Sequence, residues 1–123
     1  MIPVRGQVTS FEAAMLESLF GSVNKERVLL FICAKGEGYP RDIARFFSTD
    51  LTPIQRQLDV LERGGVLVSR LVGRTRIFTF NPRYPLLNEL KVLLEKLLSF
   101  YPQDEQDRFL LTRQRPRRAG KPL

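Results

Sequence analysis

The hydrophobic pattern of this 123-residue chain changes from helical spacing to strand spacing at Gly64-Gly65, and this change constrains the fold. Before the two glycines, apolar residues recur at helical spacing, as in Ile54, Leu58 and Leu61. After them, two short runs rich in β-branched and aromatic residues flank a turn at Val72-Gly73-Arg74-Thr75, which predicts a β-hairpin. The sequence therefore predicts a mainly α-helical chain with one small β-hairpin, an α+β fold.

The first two predicted helices supply the centre of the core. Residues 10–20 form a short amphipathic helix, because Phe11, Met15 and Leu19 recur every four residues. Ser22 is the predicted N-cap of the second helix. This second helix is apolar on every side over residues 28–34, so we expect other elements to surround it.

A short third helix and a fourth helix follow, separated by a tight polar break at residues 48–50. The start of the fourth helix is open between two N-caps, Asp50 and Thr52. Pro53 suits the first turn in either case, and Thr52 with Gln55 has the spacing of a capping box. The helix is expected to end at the paired glycines.

A last helix, over about residues 84–101, carries two apolar stripes side by side. The first stripe is Leu87, Leu90, Leu94, Leu97 and Tyr101, and the second is Leu86, Leu93 and Phe100. Two stripes present more apolar surface than a small core can cover. This favours an isologous homodimer in which the long C-terminal helix is the dimerisation helix. The alternative is that the helix folds back onto its own domain. The predicted dimer interface is Phe11, Met15, Leu19, Leu87, Leu90, Leu94, Leu97 and Tyr101.

Charge is unevenly distributed along the chain, whose net charge is +7. Residues 41–83 contain eight arginines and four carboxylates, net +4, and residues 102–123 contribute a further +3. A basic block of this kind indicates a polyanionic partner. Because Pro102 stops the last helix, the predicted domain covers residues 1–101, and residues 102–123 are expected to form a basic, disordered tail.

The residue types exclude several function classes. The chain has no His and one Cys, Cys33, so disulfides, imidazole catalysis and thiolate or imidazole metal sites are not expected. Scattered carboxylates and the lack of a glycine-rich phosphate loop predict no enzyme and no cofactor. Cys33 lies in an apolar helix and is interpreted as a buried, inert thiol. With no signal segment and a longest apolar run of only residues 28–34, we expect a cytoplasmic protein without a membrane partner.

A series of short segments, taken in order, carries a resemblance to a known family. They are Leu19-Phe20-Gly21-Ser22, Arg41-Asp42-Ile43-Ala44, Ile54 to Leu61, Glu62 to Val68, Gly73-Arg74 and Phe78 to Pro82. Over about residues 10–100, the chain resembles the ArsR-like winged helix-turn-helix domains of bacteria and archaea. The resemblance implies a homodimeric DNA-binding regulator whose recognition helix, about 53–63, enters the major groove beside a basic wing, about 66–80.

The fourth helix and the hairpin together form the predicted contact surface for double-stranded DNA. Arg56 is suited to guanine, Gln55 to adenine, and Thr52 to a phosphate or a thymine methyl group. Arg41 is placed to meet a phosphate, and the hairpin arginines are placed on the backbone or the minor groove. The predicted DNA-binding residues are Arg41, Thr52, Pro53, Gln55, Arg56, Arg70, Arg74, Thr75 and Arg76. A dimer of such domains favours a palindromic operator.

Other interpretations of the same residues remain open. The polar side chains of the fourth helix can be an ordinary solvated face, and the hairpin arginines can serve only to prevent edge-to-edge pairing of strands. A winged helix can also act as a protein-protein interaction module without sequence-specific DNA readout. Salt-dependent affinity for duplex DNA distinguishes these interpretations from DNA reading.

Overall fold

The computed structural model describes residues 15–114, with side chains described through residue 110. This part of the chain is mainly helical with one two-stranded antiparallel sheet, which confirms the predicted α+β class. The helices are α1 (Glu17–Phe20), α2 (Val23–Lys35), α3 (Pro40–Phe46), α4 (Leu51–Arg63), α5 (Leu87–Ser99) and α6 (Gln103–Gln114). The strands β1 (Leu67–Val72) and β2 (Thr75–Phe80) lie between α4 and α5 in the chain.

Helix α2 lies at the centre of the core, as its apolar run over residues 28–34 predicts. Ser22 is its N-cap, because the Ser22 hydroxyl accepts a hydrogen bond from the Lys25 backbone N–H at 3.1 Å. Helices α1, α4, α5 and α6 and strand β2 all pack against α2. Its buried apolar residues are Val28, Leu29, Leu30, Phe31, Ile32 and Ala34.

The turn between α3 and α4 resolves the open question of where α4 begins. Ser48 adopts a left-handed conformation with φ of 53°, and the Thr49 N–H donates to the Ala44 carbonyl at 3.0 Å. Asp50 is the N-cap residue, in extended conformation and without a side-chain capping bond. Thr52 therefore lies inside the helix, and the predicted capping box does not form.

The predicted hairpin is confirmed, with a two-residue loop at Gly73-Arg74. Strand β1 pairs antiparallel with β2 from Leu67 opposite Phe80 to Val72 opposite Thr75. Gly73 has φ of 63° and no other loop residue has positive φ, which matches a type II′ turn with Gly at its first position. The base of the hairpin is tied to the α2–α3 connection by two backbone hydrogen bonds between Gly38 and Phe78, at 2.8 and 3.0 Å.

The inner stripe of α5 packs on its own chain, which corrects the predicted dimer interface. Leu94, Leu97 and Tyr101 are buried in the core of the single chain, and Leu87 and Leu90 are partly buried. These side chains are covered because α5 lies against α2. The prediction that they face a partner subunit is therefore wrong for the buried members of the stripe.

Two residues of the predicted first helix contribute differently to the fold. Met15 packs against the core, whereas Leu19 is exposed. Phe11 lies outside the described residues, and of the predicted helix over 10–20 the structure describes α1 alone. Within residues 15–114, no helix is both long enough and apolar enough to cross a membrane.

Residues 103–114 form helix α6, which corrects the prediction that the chain is disordered from residue 102 onward. The helix is held by Phe109, which is 0% exposed and packs its ring against those of Phe46, Phe47 and Tyr101. The carbonyl of Phe109 also accepts a hydrogen bond from the Lys35 ammonium at 2.9 Å. Residues 115–123, with the rest of the predicted tail, lie outside the described residues.

A second contact fastens α6 to the end of α3. The Arg108 guanidinium lies over the Phe46 ring, 4.0 Å from its centroid, and donates a hydrogen bond to the Phe46 carbonyl. This combination of a stacked cation and a hydrogen bond gives a polar helix a defined position on an aromatic cluster.

Glu26 is a buried carboxylate that joins both ends of the described chain to α2. It accepts hydrogen bonds from the Leu16 backbone N–H at 2.9 Å and from the Tyr101 hydroxyl at 2.8 Å. Burial raises the pKa of Glu26, because desolvation penalises the charged form, and the two hydrogen bonds offset part of that rise. The α1 region and the start of α6 are thus both anchored at one side chain.

Candidate nucleic-acid interface

The first half of α4 presents polar side chains to solvent. Thr52, Gln55 and Arg56 are exposed, while Pro53 between them is half-buried. They lie on the outer face because Ile54 and its helical neighbours Leu58 and Leu61 are buried against the body of the molecule. Arg56 makes no ion pair with another described residue, so its guanidinium is available for an external acceptor.

Arg41 is exposed in the first turn of α3, on the helix that precedes the turn into α4. One turn later, Arg45 lies 3.6 Å from Asp42 in an exposed ion pair. Exposed pairs of this kind contribute little to stability and open readily. The two arginines place positive charge along the outer surface of α3.

The hairpin arginines Arg70 and Arg76 lie on opposite faces of the sheet. Arg70 is paired with Ile77 and shares its face, and Arg76 is the neighbour of Ile77 in β2, so its side chain points to the other face. Arg70 forms an ion pair with Glu37 at 3.2 Å on one face. Arg74, in the loop, is exposed, and Thr75 beside it is half-buried.

Arg76 is connected to the last turn of α4 through Ser69. The Arg76 guanidinium donates to the Ser69 hydroxyl at 2.9 Å, and that hydroxyl donates to the Glu62 carboxylate at 2.6 Å. Glu62 is six residues after Arg56 on α4, which corresponds to about 9 Å along the helix axis. The chain thus holds the hairpin beside the C-terminal end of α4 and leaves the other end of that helix open.

Three positions in this region were missed by sequence reasoning. Glu37 and Glu62 neutralise or orient hairpin arginines, and Leu71 near the hairpin tip is 60% exposed. No local spacing reveals the Glu37–Arg70 contact, because 33 residues separate the two side chains. The exposure of Leu71 was detectable in principle, since strand alternation places it opposite Arg76 near the end of the ribbon.

Most of the predicted site residues therefore fall into two groups, one on α4 and one on the hairpin, while Arg41 lies on α3. Thr52, Gln55 and Arg56 share one face of α4, whereas Arg74 marks the tip of the hairpin. Both groups are polar and exposed, and both are carried on elements that a buried core holds in place. Such an arrangement can meet hydrogen-bond acceptors and phosphates at two separate positions on a polymer.

Metal-ligating residue types do not gather in the described part of the chain, where no group of three His, Cys, Asp or Glu side chains is close enough to hold an ion. Cys33 is half-buried rather than fully buried. Burial and the nearby Glu95 carboxylate raise the pKa of its thiol, and Lys91 partly offsets this. Comparison with known proteins finds no matching family model, curated protein or solved structure.

Proposed function

We propose that this chain is a sequence-specific DNA-binding transcriptional regulator that acts as a homodimer through a winged helix-turn-helix. In this proposal α3 and α4 form the helix-turn-helix, and the β1–β2 hairpin is the wing. The order of the elements and the segments similar to ArsR-like domains support it.

The two-sided character of α4 is the observation that carries the proposal. Leu58 is fully buried, whereas Arg56 is exposed on the opposite face and Gln55 is exposed at the side of the helix. A helix that is anchored by one face and polar on the other suits the major groove of B-DNA, which is about 12 Å wide. The N-terminal half of α4, away from the hairpin base, is the part proposed to read bases.

The proposed roles differ between the two groups of residues. Arg56 reads guanine through two parallel hydrogen bonds, and Gln55 reads adenine in the same way. Arg41 and Arg74 contact phosphates, where charge contributes affinity without sequence information. Arg70 and Arg76 face opposite sides of the ribbon, so only one of them contacts the duplex directly in any single docking geometry.

Fluorescence anisotropy tests this proposal with the duplex upstream of the protein's own gene and a scrambled duplex of equal length, each at several salt concentrations. We expect tighter binding to the upstream duplex and an affinity that falls as salt rises, because phosphate contacts release counterions. Weak and equal binding to both duplexes contradicts sequence-specific reading.

Two variants separate base reading from phosphate contact. Arg56→Ala should lose discrimination at one base position by about 1–3 kcal/mol, while Arg74→Ala should weaken both duplexes to the same extent. Arg83→Ala is the matched control, because Arg83 is an exposed arginine beyond the base of the hairpin. Equal losses on both duplexes for both variants would reject this division of roles.

A protein-interaction module is the second candidate function. It is favoured by the apolar hairpin tip, where Leu71 and Val72 are exposed beside Arg74. Apolar side chains on an exposed tip are suited to a protein groove more than to a phosphate backbone. The absence of binding to either duplex at low salt would select this alternative.

The outer stripe of α5 is the surface proposed to pair two copies of the chain. Leu86, Leu93 and Phe100 are exposed, and they recur every seven residues along one face. Leu86 and Phe100 are each seven residues from Leu93. A two-fold axis at Leu93 therefore brings Leu86 of one copy opposite Phe100 of the other in an antiparallel pair of helices.

The charges on the same face fit this pairing. Glu89 precedes Leu93 by four residues and Lys96 follows it by three, so the two-fold axis brings Glu89 of one copy to within one residue of Lys96 of the other. That offset is about 1.5 Å along the helix axis, which a long side chain spans easily. A dimer of this kind presents two α4 helices to half-sites about 34 Å apart.

A further inference from the structure

A cavity of about 230 Å³ lies between α2, the end of β2 and the start of α5. Its apolar walls come from Ile32, Phe80, Pro82 and Leu87, which belong to three different parts of the chain. An enclosed apolar cavity of about 150 Å³ is large enough to bind benzene. The space here is about half open to solvent, with Pro82 and Lys91 exposed at its edge, and its volume accommodates a ring-sized apolar group.

One side chain gives this cavity a charge. Lys91 lines it, with its ammonium 5.9 Å from the centroid of the Phe80 ring, and no carboxylate of the described residues lies within 4.0 Å of that ammonium. Glu95, one turn further along α5, is close enough to Cys33 to raise the thiol pKa but is not part of the cavity wall. The charge at the wall itself is positive.

We propose that this cavity binds a small organic anion in which one ring or branched apolar group carries a single carboxylate. The apolar group packs between Phe80, Pro82 and Leu87, and the carboxylate accepts charge-assisted hydrogen bonds from Lys91. This inference is independent of the proposed DNA binding. It assigns a ligand to a space that no residue of α4 lines.

Cys33 provides a direct measurement, because it lines the cavity and is the only cysteine of the chain. The experiment measures the rate at which iodoacetamide alkylates Cys33 at increasing concentrations of benzoate, and separately of benzyl alcohol. An occupied cavity blocks access to the thiol. The wild-type protein should be protected by benzoate at a concentration about tenfold lower than by benzyl alcohol, since only benzoate pairs with Lys91.

Two variants at Lys91 sharpen the test. Lys91→Met should raise the benzoate concentration for half-protection about tenfold, while Lys91→Arg should keep it near the wild-type value. Half-protection is compared within each variant, because Lys91 also influences the basal reactivity of Cys33 through its pKa. Unfolding curves of the two variants establish that the fold is retained.

Three results would overturn the proposal. Benzoate that leaves the alkylation rate unchanged shows that the cavity binds no such anion. Equal protection by benzoate and benzyl alcohol shows that the carboxylate is not recognised. Unaltered protection in Lys91→Met removes the assigned role of the ammonium.

Discussion

The two apolar stripes of α5 both follow the helical repeat, but one is buried and the other is exposed. Leu94, on the inner stripe, is 0% exposed, whereas Leu93, its neighbour in the sequence, is 38% exposed. Leu86 and Phe100 on the outer stripe are likewise exposed. Periodicity alone identifies both stripes, but which stripe is buried depends on the contacts that the rest of the chain makes with the helix.

The inner stripe continues into a residue that has a specific partner. Tyr101 follows Leu94 and Leu97 at helical spacing and donates its hydroxyl hydrogen to the buried Glu26 carboxylate. Because a buried carboxylate without hydrogen bonds is costly, this contact favours one rotation of α5 about its axis. A polar contact between distant residues thus selects which apolar face becomes core.

The largest expected difference in unfolding free energy is between two variants that introduce a charge, one on the inner stripe and one on the outer stripe. Leu94→Glu places a carboxylate in the core and should cost about 4 kcal/mol or more of unfolding free energy, enough to unfold a small domain. Leu93→Glu should cost about 1 kcal/mol or less in dilute protein, because its side chain remains in water. Urea unfolding followed by circular dichroism measures both, and equal costs would contradict the assignment of the two faces.

The Leu93→Glu variant also tests the proposed pairing of copies. Light scattering of the wild-type protein should give twice the mass of one chain, and Leu93→Glu should give the mass of one chain while remaining folded. This outcome follows because Leu93 lies on the proposed two-fold axis, where the substituted carboxylates of the two copies meet. A dimer that survives Leu93→Glu would place the interface elsewhere.

Helix α6 allows a second comparison between a buried and an exposed apolar residue, Phe109 and Leu110. Phe109→Ala should lower the unfolding free energy by about 3–5 kcal/mol, because it empties a fully buried aromatic site beside Phe46. Leu110→Ala is the matched control, since that side chain is half-exposed and should change stability by less than about 1 kcal/mol. Similar costs for the two variants would show that α6 is not docked through Phe109.

Local sequence patterns predict most of the helices and strands, but they predict fewer of the contacts between these elements. The apolar run of α2, the amphipathic α4 and the Gly73-Arg74 loop were all predictable, because each depends on residues close together in the chain. Helix α6 was not, since Phe109 is one aromatic residue in a polar segment and has no periodic apolar partner to indicate a buried face.

The candidate interface shows the same limit. The exposure of Gln55 and Arg56 follows from the helical spacing of the buried residues of α4. The pairing of Arg70 with Glu37 does not, because that contact depends on how the hairpin lies against the α2–α3 connection. Sequence spacing predicts which side chains face water, and the fold decides which of them are already paired.

A smaller effect on stability should come from Glu26, which accepts the hydrogen bond from Tyr101 at the end of the inner stripe. The pKa of Glu26 is raised in the folded protein, so the folded state retains this proton to higher pH than the unfolded state does. The stability associated with Glu26 is therefore complete below the ordinary carboxyl pKa and is lost as pH rises through the raised value.

Measuring stability against pH in Glu26→Gln isolates this contribution. The unfolding free energy of the variant should improve relative to wild type as pH rises from the ordinary carboxyl pKa of about 4 through the raised pKa of Glu26, because the amide does not ionise. Asp59→Asn serves as the control, since Asp59 is exposed on α4 and is not among the groups that shift the pKa of Glu26. A difference between wild type and Glu26→Gln that is constant with pH would show that the carboxyl group titrates at its ordinary value.

The smallest predicted effect concerns the charges of the outer stripe. Exposed ion pairs contribute about 0.2–1 kcal/mol each, and the proposed two-fold axis creates two Glu89–Lys96 pairs. Glu89→Lys should therefore weaken dimerisation about two- to thirtyfold in sedimentation equilibrium. The double variant Glu89→Lys with Lys96→Glu should restore the wild-type constant, because the pairs form again with opposite polarity. Glu95→Lys, which makes the same change in net charge outside the stripe, should have a smaller effect. Recovery in the double variant would establish antiparallel pairing about Leu93, whereas additive losses would exclude that register.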